Sequence, residues 1–357
     1  MAAPRRRQCL RRSPRGALAM NQRLAPRAPV FLASLFLLGS CGSQAEAGGG
    51  ETSGFLRFDE AGAAVDAAEA TSAGQSPAVT TPAAVAPASE AEGAGVASTP
   101  DVTPVGDEGL AEQRASELLQ SGAYAEAAGV LSRLLLGHVE AGRDDRAALA
   151  RWAALLTEAQ SHHRWSPKGA WPAAEVTVQS GDSLIAIRKR TLEGRPGLLL
   201  CTGEIVRANR LASSTAIRPG ASLRVPTQTP SMRVDLSAMW AFYCFGDEIA
   251  AAFEVGVGRE GSETRPGTYT IGNKQENPMW TPLGREPVPF GDPQNPLGTR
   301  WLAWNLEGRG TSLGFHGTND PSSVGQRVSE GCIRMRNAEV EQLFEILPMG
   351  AEVRVQP

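Results

Sequence analysis

The sequence predicts a multidomain α+β chain. A mostly β domain lies at the C-terminal end, a small βααβ module and a helical segment precede it, and a disordered N-terminal tether leads in. Three observations predict this. Ala, Gly, Ser, Thr, Pro and acidic residues make up the chain from Gly42 to about Glu108, leucines then recur at helical spacing, and from Met232 short alternating apolar runs are punctuated by Gly and Pro. The 357 residues suffice for two or three packed units, at about 100–200 residues each. The 39 Gly and 25 Pro exceed what packed domains use, which agrees with an unpacked portion. The formal charge of −3 hides an asymmetry: residues 1–40 hold eight arginines and no acid, and the remainder carries 27 basic against 38 acidic residues, a net −11. So acidic a chain argues against nucleic acid as a partner.

Arginine-rich residues 1–27 precede the apolar run VFLASLFLLG from Val30 to Gly39. That run is far shorter than the ~20 apolar residues a bilayer span needs, and it has the length of the central region of a secretory signal. Residues 1–40 are therefore expected to be a signal peptide, and Met20 would give a signal of usual length if it were the true start. Leu38-Gly39-Ser40-Cys41 resembles the bacterial lipobox. This implies a lipidated Cys41, attachment to the membrane, and a cell-envelope location facing the periplasm; ordinary cleavage with Cys41 incidental is the alternative. From Gly42 to Glu108 there are eleven acidic residues and one arginine, Arg57. Such a segment cannot bury enough apolar surface to offset its conformational entropy, so 41–108 is expected to be a disordered tether.

Residues 109–170 form the helical segment. Leu118 and Leu119, then Val130, Leu131, Leu134 and Leu135, then Leu149, Trp152, Leu155 and Leu156 follow the helical period. ASELLQSGAYAEAAGVLSRLL resembles one tetratricopeptide unit, and a single unit cannot cover its own apolar face. A helical hairpin spacer is preferred here to a partner-binding repeat. His138, His162 and His163 lack a second ligand cluster at metal spacing and are expected at the surface.

Residues 175–226 begin with alternating VTV. Ser180-Gly181-Asp182-Ser183 can then cap a helix, GEIVRANRL supplies a second, and Arg218-Pro219-Gly220 turns into the strand SLRVP. VTVQSGDSLIAI, Asn209 and IRPGASLRVP resemble the start, middle and end of the LysM module. The resemblance implies a βααβ unit that binds the glycan strands of peptidoglycan; a ligand-free spacer is the alternative. The loop from Leu198 to Cys201 is longer than the module usually has.

Residues 231–357 carry strand-like runs such as AFYCFGDEIAAAFEVGVG, RPGTYTIG and TRWLAWNL. One late helix follows, with Asn337 as its expected N-cap and Val340, Leu343, Phe344 and Leu347 on one face, and AEVRV closes the chain. This domain holds one histidine, His316, and two cysteines, Cys244 and Cys332. Cys244 sits among aromatic residues in an alternating strand and reads as a buried, inert thiol. Cys332 follows Gly331, where a residue without a Cβ lets backbone N–H groups converge on an oxyanion. A thiol needs a neighbouring base or cation to act as a nucleophile, and His316 and Arg334 can serve. A merely structural Cys–His pair stays open at this point. Zinc is disfavoured, since two more ligands would have to be found. Cys201 and Cys244 could pair, which would leave Cys332 alone.

Several motifs in order resemble the catalytic domain of the L,D-transpeptidases: VDLS at 234–237, RPGTYTIG at 265–272, NPMW at 277–280, NPLGTRW at 295–301, HGT at 316–318 and S-x-G-C-I-R-M at 329–335. The resemblance implies a β-sandwich with the cysteine beneath a lid drawn from 273–300, and no cofactor or metal. It implies that Cys332 attacks a tetrapeptide stem of peptidoglycan and releases D-alanine, leaving a thioester that an amine of a second stem resolves. His316 would be the base, the Gly317 carbonyl would orient it, N–H groups around Gly331 and Cys332 would hold the oxyanion, and Arg334 would favour the thiolate. Ser329 would support the site. The family usually has histidine where this chain has Glu330, and a carboxylate there opposes thiolate formation unless it pairs with Arg334 or Arg336. Two other readings remain: a catalytically weak wall-binding lipoprotein, and a carboxypeptidase or hydrolase using the same two residues.

Overall fold

The computed structural model describes residues 107–357 apart from Leu283. The expected signal, Cys41 and all but the last two residues of the expected tether lie outside the described residues. Three helices come first, α1 (Glu108–Gln120), α2 (Tyr124–Glu140) and α3 (Arg146–His162). The small module follows as β1 (Ala173–Thr177), α4 (Leu184–Glu193), α5 (Thr202–Ala208) and β2 (Ser222–Pro226). The C-terminal domain comprises β3 (Ser231–Asp235), β4 (Trp240–Phe245), β5 (Glu248–Glu254), β6 (Val257–Gly258), β7 (Gly267–Glu276), β8 (Arg300–Leu306) and β9 (Arg309–His316). It ends with β10 (Arg327–Ser329), β11 (Ile333–Arg334), α6 (Asn337–Ile346) and β12 (Glu352–Gln356).

The β domain is built on one eight-stranded mixed sheet in the order β11-β9-β8-β7-β12-β3-β4-β5, with β10 and β6 paired beside it. The closing strand predicted from AEVRV is central rather than peripheral: β12 lies between β7 and β3, parallel to β3. Helix α6 packs Val340, Leu343 and Ile346 into the main core with Trp304, Phe315 and Ile333. The helix and strands β8, β9 and β11 therefore share one hydrophobic anchor.

The first three helices are not the spacer that an isolated repeat unit suggested. Asp107 and Asp145 cap α1 and α3 by accepting backbone N–H groups, and the predicted leucines are buried. Their core runs on into Trp240, Phe242, Cys244 and Ile249 of the sheet. Strand β4 is buried along its whole length, with Trp240, Phe242 and Cys244 facing the helices and Ala241, Tyr243 and Phe245 facing the main core. The sheet is thus the neighbour a lone helical unit needs. The helices also cover edge strand β5. The Ile249 N–H donates to Ser132 Oγ (2.9 Å), Gln160 Nε2 donates to the Ile249 carbonyl (2.7 Å), and Trp165 Nε1 donates to the Ala250 carbonyl (3.1 Å). An open edge would otherwise invite strand pairing.

Two histidines expected at the surface are buried instead. His138 meets Glu108 Oε1 through Nδ1 at 2.9 Å and sits edge-on to Trp152, while His163 lies 3.5 Å from Glu248. Their partners come from other elements, so sequence neighbours gave no sign of them. His162 is exposed as expected and stacks on Tyr124.

The small module has the predicted βααβ order, with β1 and β2 antiparallel and Ser183 capping α4 through the Ala186 N–H (3.2 Å). Asn209 ties α5 to β2: its Nδ2 donates to the Ile205 and Arg224 carbonyls and its Oδ1 accepts from the Arg224 N–H. The module docks on the β domain through α5 and α6, where a Cβ on Gly203 would collide with the Glu345 carbonyl. The Cys201–Cys244 disulfide does not form; both are free thiols. Tyr243 points toward Glu204 of the module, so its strand neighbour Cys244 points to the opposite face, among the helices.

Candidate active site

The two residues singled out from sequence lie on or beside neighbouring strands at one edge of the sheet. His316 is the last residue of β9 and Cys332 immediately precedes β11, and these strands pair in parallel with Arg334 opposite His316 and Ile333 opposite Phe315. Side chains alternate along a strand, so Cys332, two residues before Arg334, projects to the same side as His316. With Arg334 opposite His316, Cys332 stands one diagonal step away, a position that such pairing sets about 7–8 Å off along the backbone. The thiol donates to the Ser312 carbonyl (3.2 Å) rather than to the imidazole.

His316 is buried, and its Nδ1 lies 2.6 Å from the Gly317 carbonyl oxygen. A carbonyl can only accept, so Nδ1 carries the proton and Nε2 is left as a lone-pair acceptor. Burial, then the nearby Arg334 charge, lower the His316 pKa to about 4 against an opposing push from the Gly317 bond. The imidazole is therefore neutral at pH 7. Trp301, the cross-strand partner of His316, tilts against its ring at 6.0 Å. Sequence reasoning did not single out Trp301, although it stands inside the NPLGTRW run.

The half-buried Cys332 thiol is pushed up to about 12, chiefly by burial; a Gly314 backbone hydrogen bond and Arg334 act against the rise, and Glu330 adds to it. The resting pair is thus thiol and neutral imidazole rather than thiolate and imidazolium. Ser329 shapes the turn around the thiol: its Oγ donates to the Cys332 carbonyl (2.6 Å) and accepts from the Gly331 N–H (3.2 Å). The Gly331 N–H, expected at the oxyanion, donates to Ser329 Oγ instead. Gly331 itself has φ +108°, a conformation open to glycine and strained for other residues.

Arg334 makes no salt bridge among the described residues. Its backbone exchanges two hydrogen bonds with Gly256 (2.8 Å each), its buried Nε has no partner, and the carboxylates of Asp320 and Glu330 oppose the lowering of its pKa by burial. Glu330 pairs with neither Arg334 nor Arg336. It is 76% exposed and lies 3.4 Å from Arg259, itself 55% exposed, while Arg336 pairs with Glu254 and Glu339. Asn337 is not the N-cap of α6; that position is Arg336, whose N–H meets the Glu339 carboxylate (3.3 Å). The Asn337 side chain turns back toward the His316 turn instead. Between β7 and β8, residues 277–282 and 284–299 form turns held by a Trp280–Val288 bridge and by buried Asn295, whose Nδ2 donates to the Pro278, Val288 and Pro289 carbonyls.

Comparison with known proteins gives the family of the chain. Residues 230–355 match the family model described as the L,D-transpeptidase catalytic domain, and residues 176–226 match that of the LysM domain. The chain is 37% identical over 110 residues to the putative L,D-transpeptidase YqjB of Bacillus subtilis, covering 30% of this chain and 61% of that protein. It is 30% identical over 181 residues to the putative L,D-transpeptidase YkuD of Bacillus licheniformis, covering 50% of this chain and 97% of that protein. The match thus spans about three fifths of the first relative's length and nearly all of the second's. Among solved structures, the catalytic domain of the Enterococcus faecium L,D-transpeptidase aligns at 21% identity and a TM-score of 0.29, over 36% of this chain and 98% of that one. By its sequence relatives, this chain belongs to the L,D-transpeptidase family.

Proposed function

We propose that this protein is an L,D-transpeptidase of peptidoglycan, exported and lipid-anchored through Cys41, whose LysM-like module holds glycan while Cys332 acts on peptide stems. The observation that supports the reading is the parallel pairing of β11 with β9, with Arg334 opposite His316, Cys332 just before β11 and His316 Nδ1 held by the Gly317 carbonyl. The free Nε2 is then the proton acceptor that a nucleophilic thiol requires.

Cys332 Sγ attacks the carbonyl between diaminopimelate and the terminal D-alanine of a tetrapeptide stem as its proton passes to Nε2. The C–N bond breaks, the amine of D-alanine takes that proton, and a thioester remains. An amine of a second stem attacks the thioester, its proton goes to Nε2, and the restored thiol closes the cycle. The resting thiol is protonated, so proton transfer accompanies attack and no standing thiolate is needed. Arg334, with no salt bridge of its own, lowers the cost of negative charge on sulfur and oxygen. With the Gly331 N–H bound to Ser329, the Cys332 N–H becomes the leading oxyanion donor.

Incubation of the protein with a disaccharide-tetrapeptide, followed by mass analysis, tests the reading. Crosslinked dimers with release of D-alanine are expected, and Cys332→Ala should abolish them while glycan retention persists. Tripeptide without dimer would make the enzyme a carboxypeptidase. Glycan retention with no turnover would make it a wall-binding lipoprotein.

A further inference from the structure

We propose that Asn337 is a positioning residue for the His316 base: its carboxamide grips the peptide unit after Gly317 and so holds the Gly317 carbonyl on Nδ1. The inference rests on the Cys332–His316 reading above and adds a residue to it. Asn337 Oδ1 accepts from the Thr318 N–H (3.0 Å) and the Thr299 N–H (3.3 Å), and Nδ2 donates to the Thr318 carbonyl (3.0 Å). The Gly317 carbonyl and the Thr318 N–H belong to one peptide group. In a trans peptide these two bonds point in opposite directions. Fixing the N–H on Asn337 therefore aims the carbonyl the other way, where it meets His316 Nδ1 at 2.6 Å.

The surroundings are shaped to this grip. A Cβ on either Gly298 or Gly317 would collide with Asn337 Oδ1, and Gly298 stands at φ +62° against the Gly317–Thr318 backbone. The flanking backbone is pinned as well: the Gly317 N–H donates to the Arg300 carbonyl (3.2 Å) and the Met335 N–H to the His316 carbonyl (2.8 Å). Because Thr299 ends the 277–299 segment, one carboxamide joins the base of that segment to the turn carrying the histidine. An amide supplies both the acceptor and the donor these three bonds need; aspartate would keep only the acceptor, and alanine neither.

The test uses the full chain with ¹⁵N-labelled histidine, in which four ring pairs are to be assigned. In the wild type His316 is expected wholly as the Nδ1–H tautomer at neutral pH. Asn337→Ala should give a mixture of tautomers and slow acylation of Cys332 by a carbapenem about 10- to 100-fold, part of the contribution of a positioned base. Asn337→Asp keeps the grip on the Thr318 N–H, so it should retain the Nδ1–H tautomer and a rate within about tenfold of the wild type. A folded alanine variant with unchanged tautomer and rate would overturn the proposal. If alanine prevents folding, the aspartate variant decides: loss of the Nδ1–H form, or a rate as low as that of His316→Ala, overturns it. A wild type that forms no adduct yet shows the Nδ1–H form would count against the enzymatic reading and leave the role of Asn337 intact.

Discussion

Replacing Glu204 by glutamine should make the protein more stable above neutral pH, although it removes a carboxylate from a region that holds Arg164 and Arg188. Glu204 is fully buried in α5 where the small module docks on the β domain. Its Oε2 accepts from the Cys201 N–H (2.7 Å), and its Oε1 lies 3.2 Å from the Tyr243 hydroxyl oxygen. Tyr243 also lies 3.0 Å from the Ile346 carbonyl. The phenol has one hydrogen, and a carbonyl can only accept, so a protonated Glu204 donating to Tyr243 satisfies every group at once. Glutamine reproduces that pattern, with its carbonyl accepting from Cys201 and its amide donating to Tyr243.

Burial raises the Glu204 pKa from 4.5 to about 8 against the pull of its hydrogen bonds and of Arg164 and Arg188. Unfolding returns it to the ordinary value. The stability tied to the neutral form is therefore complete below pH 4.5 and is lost as pH rises through about 8. At about 1.36 kcal/mol per pH unit, the loss is on the order of 3 kcal/mol at pH 7 and ~5 kcal/mol above the folded pKa, as ceilings. Urea denaturation of Glu204→Gln and wild type at mildly acidic, neutral and mildly alkaline pH measures this. The advantage of the variant should grow with pH. A variant that is less stable at alkaline pH, or a pH-independent difference, would mean that the carboxylate is ionised and held by Arg164.

Residues 231–357 expressed alone should aggregate under conditions where the chain that includes α1–α3 is soluble, because Trp240, Phe242 and Ile249 lose their cover; a soluble monomer by light scattering would contradict the shared core. Glu330→His should change stability by less than about 0.5 kcal/mol, since its pair with Arg259 is exposed. The same variant should acylate at an equal or higher rate in a carbapenem assay, and a large fall would show that Glu330 has a role of its own.

The β domain and the βααβ module were legible because alternation, Gly–Pro punctuation and capping residues such as Ser183 are local signals. Cys332 and His316 stood out by residue type and chain order, but the pairing that makes β11 the neighbour of β9 joins segments distant from any local signal. Contacts between distant segments were not legible. The apolar face of α1–α3 could be read, but not that β4 covers it; WAFYCF reads as an alternating strand, yet both faces of it are buried. Glu108 and Glu248 draw His138 and His163 inward from other elements. Asn337 has the residue type of an N-cap, but its amide is used across 19 and 38 residues of sequence instead.

The central claim is a covalent thioester on Cys332, and trapping it tests that claim most directly. Wild-type protein mixed with tetrapeptide stem or a carbapenem, quenched in acid and mapped by mass spectrometry, should carry the acyl mass on the peptide containing Cys332. The adduct should be absent from Cys332→Ala and form more slowly in His316→Ala. A folded wild type that never gains the mass, or an adduct on Cys201 instead, would contradict the account.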